Sequence, residues 1–147
     1  MKVNAKDLMI GDLFRVNKDV SFKKGTIVVI RGIDADRTFQ ELKGCVTCVA
    51  VDDPDKMPSG VWLEYLEPIP LTEEMLETNG FYLERNVGYI YEDDEYEVIV
   101  DLFNWKYRIL YNRDVVMNKE NFGKIAVHEL QHAMLFAGLD KEFKMQG

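Results

Sequence analysis

His128, Glu129 and His132 fall within KIAVHELQHAML, Lys124 to Leu135, and spell His-Glu-X-X-His. Two histidines four apart on a helix lie nearly one above the other, so both imidazoles can reach one Zn²⁺. The glutamate after the first histidine would then sit beside a metal-bound water and act as its general base. This is the pattern of zinc metallopeptidases. Such a site needs a third protein ligand and one open position. The chain has only two histidines, so the third donor must be a carboxylate or a cysteine. Asp140 and Glu142 are the carboxylates downstream of His132. No second motif presents them, and Leu135 and Gly138 stand where the longer form of the motif places a glycine and a third histidine.

Cys45 and Cys48, the only cysteines, lie in GCVTCVAV. With the two histidines they could complete a closed two-cysteine, two-histidine zinc site. The Val-rich flanks read as a strand, however, and residues three apart on a strand point to opposite faces. Buried structural thiols are the expectation.

The elements that must position these residues follow from periodicity. Around Leu130, the side chains of Ala126, Val127, Ala133, Met134 and Ala137 gather on one helical face, with His128 and His132 on the other. The helix is expected from about Glu120 to Ala137, ended by Gly138. Upstream, residues 1–67 read as short strands with turns: IGDLFRV, TIVVIRGI, ELKGCVTCVAV, then VWLEYLEPIP with Val61, Leu63 and Tyr65 on one side. Glu67-Pro68-Ile69-Pro70 is a stiff connector. Thr72 is a natural N-cap for a short helix that Asn79-Gly80 stops. FYLERN, VGYIYE, YEVIVDLF and WKYRILY then form an antiparallel meander, with RDVVMN as a short addition and Trp105, Tyr107, Ile109 and Tyr111 sharing a face.

The fold expected is therefore α+β: a curled N-terminal antiparallel sheet or small barrel (residues 1–67), then a helix–meander–helix subdomain (residues 71–147), the two expected to form one compact unit. In the second, Val127, Leu130, Met134 and Ala137 cover Val98, Val100, Tyr107 and Ile109.

Charge narrows the partners. Of the net −8, residues 1–70 carry −1 and residues 71–147 carry −7. An acidic half repels phosphate backbones, and no basic stripe interleaved with aromatics occurs, so nucleic acid is not an expected partner. No apolar stretch is long enough for a membrane span or a signal peptide, so the expected location is the cytoplasm. Glu92-Asp93-Asp94-Glu95 lacks the spaced ligands and central glycine of a calcium loop and reads as a solvated turn.

Two stretches, EPIPLTEEMLETNGF (Glu67 to Phe81) and AVHELQHAMLFAGL (Ala126 to Leu139), together resemble a family of small uncharacterised proteins common in Bacteroides, its phages and its mobile elements. The resemblance covers roughly residues 60–143. In that family the closing helix also occurs with glutamine at the position of Glu129 and asparagine at that of His132. It implies a packing role for the helix and supplies no catalytic residues.

Taken together, the sequence favours a non-catalytic accessory protein working through an unidentified protein partner, with no cofactor and with a homo-oligomer left open. Trp62, Tyr65, Trp105 and Tyr111 are the candidate contact residues, since such side chains concentrate at interfaces. The alternatives are a zinc metallopeptidase using His128, His132, Glu129 and either Glu142 or Asp140, and the structural zinc protein using Cys45 and Cys48.

Overall fold

A computed structural model describes residues 3–120 and 123–145. The chain forms two compact units, Met1–Ile69 and Pro70–Gln146. The boundary falls inside the proline-stiffened connector. The architecture is α+β, dominated by two five-stranded antiparallel sheets.

The first unit holds β1 (Leu13–Val16), β2 (Ile27–Phe39), β3 (Leu42–Ala50), β4 (Ser59–Trp62) and β5 (Leu66–Glu67) in the spatial order β4-β3-β2-β1-β5. Its two edge strands, β4 and β5, are separated in sequence only by a 3₁₀ turn, Leu63–Tyr65. In a flat sheet those edges would stand about 19 Å apart, four strand spacings. A 3₁₀ turn of that length bridges about 8 Å. The sheet therefore curls towards closure. Alternate residues point inwards: Phe14, Val16, Val28, Ile30, Val46, Cys48 and Val61 form the core with Leu8, Leu63 and Leu66. The single strand expected over VWLEYLEPIP is thus two strands on opposite edges, because the curl has to be turned at Leu63–Tyr65.

The second unit opens with α1 (Glu73–Thr78). Thr72 caps it as expected, its Oγ accepting from Met75 N at 3.3 Å. The sheet follows as β6 (Tyr82–Glu84), β7 (Gly88–Glu92), β8 (Tyr96–Asp101), β9 (Lys106–Tyr111) and β10 (Asp114–Glu120), each paired with the next. The acidic run is the turn between β7 and β8. Asp93 Oδ1 accepts from Glu95 N and Tyr96 N at 2.9 and 2.7 Å. These backbone donors hold the Asp93 carboxyl below its usual range. Trp105 departs from its expected strand position: it sits in the β8–β9 turn with φ +51, so it does not extend the row of Tyr107 and Ile109.

The closing helix α2 spans Val127–Phe136, shorter than expected. Glu120 belongs to β10, opposite Lys106. Just before the helix, Leu71 N donates to Ile125 O at 2.9 Å, and Pro70 and Ala126 form an isolated antiparallel bridge. That pairing keeps 125–126 extended and fixes the helix start. At the other end Gly138 adopts φ +92, with Gly138 N on Leu135 O at 3.0 Å and Leu139 N on Met134 O at 2.8 Å. This is a Schellman stop. Val127, Leu130, Ala133 and Met134 are buried. Tyr96 on β8 donates its hydroxyl to Ala137 O at 3.0 Å. The helix accordingly lies over the sheet face that carries Tyr96, Val98, Val100, Tyr107 and Ile109, all buried except the half-buried Tyr96. Among the described residues no helix is long and apolar enough to cross a membrane.

Candidate functional site

The late start of α2 sets the local chemistry. Ala126 is the N-cap and has no side-chain acceptor to offer, so the orphan donors of the first turn need another partner. Glu129, three residues on, reaches back and accepts from Ala126 N through Oε1 at 3.3 Å. This is the glutamate half of a capping box. The same carboxylate is felt by Tyr107 on β9, whose phenol is pushed up first by burial and then by the Glu129 charge. The glutamate that could have been a general base is engaged in starting the helix and facing the sheet.

His128 and His132 do lie together. Their ring centroids are 5.6 Å apart with planes at 76°, and Phe136 continues the row one turn on, 6.4 Å from His132. Both imidazoles are half-buried. Phe136 is 71% exposed and Leu135 49%. The helix therefore presents an imidazole–aromatic ladder ending in open apolar surface.

The proposed third donors take a different course. Over residues 139–145 the chain is non-helical, with Leu139 and Phe143 buried and Asp140 and Glu142 exposed between them. Lys141 Nζ lies 4.5 Å from the Tyr91 ring centroid, and Lys144 is bound through its backbone to Asn79. Among the described residues, no three or more His, Cys, Asp and Glu side chains are grouped as a metal site requires.

Cys45 and Cys48 lie on β3 in the first unit, whereas the histidines lie on α2 in the second. Cys48 points into the first core with Val46, and Cys45 is buried outside that cluster, as the strand alternation predicts. Cys45 Sγ donates to Val46 O at 3.6 Å and Cys48 Sγ to Ser59 O at 3.8 Å. Burial, helped by the nearby Cys45 charge, pushes the Cys48 thiol from 9.0 up to about 12. A thiol whose value is raised on folding keeps its proton in the native state after the unfolded chain has lost it. Its contribution is whole below 9.0 and is lost as pH climbs towards about 12. Cys48→Ala is therefore expected to flatten the alkaline fall in stability, measured as urea midpoints at about pH 8 and about pH 10. In the native protein, iodoacetamide should leave Cys48 unmodified until urea is added.

The expected contact aromatics are mostly absorbed by the fold. Trp62, Tyr65 and Trp105 are half-buried, with Lys18 Nζ 4.7 Å from the Tyr65 ring centroid. Tyr111 is 38% exposed but packs against Tyr96, ring centroids 5.0 Å apart and planes tilted by 50°. No family model, no curated protein and no solved structure matches the chain.

Proposed function

We propose that this chain is a non-catalytic accessory protein, encoded by a phage or mobile element and acting in the cytoplasm through contact with another protein. The observation that carries the reading is the engagement of Glu129 as the cap of α2, which gives the one catalytic-looking carboxylate a structural task. The exposed Leu135 and Phe136, beside His132, supply apolar surface of the kind that interfaces cover. The resemblance to the Bacteroides family, in which the helix also occurs without the glutamate and second histidine, supports the same assignment.

Two measurements decide it. A photo-crosslinking residue at position 136, in the cells that encode the protein, is expected to give a discrete protein adduct that the same probe at Lys119 does not. Absence of that adduct would overturn the contact reading. Tag-free protein supplied with Zn²⁺ is expected to leave a peptide library intact. Zinc-dependent hydrolysis that disappears in a folded Glu129→Gln variant would establish the metallopeptidase instead. Glutamine can keep the cap, so that variant isolates the base.

A further inference from the structure

We propose that β10 (Asp114–Glu120) pairs with β10 of a second copy of this chain, antiparallel about a twofold axis, and so joins two five-stranded sheets edge to edge. This contact lies on a different element from the exposed residues of α2 and does not rest on them.

Charge and register carry it. β10 ends its sheet, and among the described residues it pairs with β9 alone. Its outer row of amides and carbonyls is a template for another strand. Every residue from Asp114 to Glu120 is exposed except the half-buried Met117, with Val115 at 53% and Val116 at 48%. Together with Arg113 of the β9–β10 turn the segment reads RDVVMNKE: a cation and an anion, four uncharged residues, a cation and an anion. Laid against its own reverse, it sets Arg113 opposite Glu120 and Asp114 opposite Lys119, twice over, around a centre of Val115, Val116, Met117 and Asn118. Opposite charges facing across strands attract. A regular strand could not adopt this register. Its residues turn their amides and carbonyls alternately to the two edges, so self-pairing matches only residues an even number of positions apart. Asp114 and Lys119 are five apart. The bulge at Val116 restores the phase. Asp114 faces Tyr111 and Lys119 faces Tyr107, five steps on β10 against four on β9; Val115 and Asn118 face Leu110 and Arg108, three steps against two. The extra residue thus turns both members of each complementary pair the same way. A lysine and a bulge on an edge strand discourage indiscriminate pairing. Here the same two features fit a copy of the strand.

Sedimentation of the tag-free full chain tests the proposal. One strand pair is small beside a standard interface, so self-association is followed up to about 1 mM protein. The mass is expected to rise from monomer towards dimer over that range. Asp114→Lys and Lys119→Asp each set like charges opposite one another at two places in the dimer, and each alone should weaken association by about tenfold or more. An equimolar mixture of the two variants should recover it, because the mixed dimer has attractive pairs at both places. Circular dichroism confirms that each variant is folded. Phe136→Ala should associate as the wild type does. A photo-crosslinking residue at Lys119 should join two copies of this chain, an adduct distinct from that expected at position 136. A chain monomeric throughout the range, single variants that associate as the wild type, a mixture no tighter than either variant alone, or loss of the dimer in Phe136→Ala would each overturn the proposal.

Discussion

Gly88→Ala is expected to destabilise the second unit by about 3 kcal/mol or more. Gly88 opens β7 at φ +129, a backbone conformation that side-chain-bearing residues rarely adopt. A Cβ there would stand 2.6 Å from Val100 O, 3.2 Å from Val100 C and 3.3 Å from Asp101 Cα. Those atoms are backbone of β8, held on its other side by β9 through Val100↔Tyr107 and Asp101↔Lys106. Nothing flexible can give way, so relief requires parting the central strands of the sheet. Because α2 rests on the face carrying Val98, Val100 and Tyr107, a displaced β8 also loosens the helix that bears the imidazoles. Gly80→Ala is the informative comparison. Gly80 has φ +86, but its Cβ would meet only the Tyr91 ring at 3.8 Å. It should lose about 1 kcal/mol, from the backbone alone. Urea unfolding at unchanged m reads both. Equal losses in the two variants would mean that the contact with β8 contributes nothing.

Much of this architecture was legible because it rests on local chemistry. Thr72 and Asn79-Gly80 bracket α1, Asp93 turns β7 into β8, and Gly138 ends α2. Each acts over a few residues through its own side chain or its own φ. Alternation in YEVIVDLF likewise identified the buried face that receives the helix. What the sequence concealed depends on distant pairings. Whether Glu120 and residues 123–126 belong to α2 is decided by Lys106 opposite Glu120 and by Pro70 beside Ala126; the expectation of helix at 121–122 lies outside the described residues. The break at Leu63–Tyr65 follows from the sheet's curl, not from any breaker residue. The site shows the same division. Helical spacing alone places His128 and His132 together. That Glu129 caps the helix is visible only once the first residue of α2 is known, and that is set by Leu71 bonding to Ile125, far away in the chain. Whether the helix face carrying His128 and His132 lined a cleft or open surface was similarly hidden, because a partly apolar face is equally compatible with both.

Asn79→Ala is expected to cost about 2–4 kcal/mol, an unusual loss for an amide at a helix end. Asn79 is 3% exposed and is one of two polar residues buried among the described residues. Its Nδ2 donates to Met75 O at 2.7 Å and to Lys144 O at 2.8 Å, and its Oδ1 accepts from Lys144 N at 2.6 Å. The side chain thus closes α1 and clips the C-terminal segment 65 residues away. Alanine removes all three bonds and leaves the main-chain groups of Met75 and Lys144 to find water in a partly buried place. Asn79→Asp should fare little better. It retains an acceptor for Lys144 N but sets a carboxylate against two carbonyl oxygens. Asn17→Ala, which deletes one exposed bond to Glu64 O at 3.2 Å, should change stability by less than about 0.5 kcal/mol. Hydrogen exchange gives the local readout: the Lys144 amide should lose protection in Asn79→Ala, while that of Val98 falls only as far as global stability does. A Lys144 amide as protected as in the wild type would show that buried Leu139 and Phe143 hold the segment unaided. The same clip fixes the path on which Asp140 and Glu142 stay exposed. If it were dispensable, the course of those two carboxylates would have to be set by apolar packing alone.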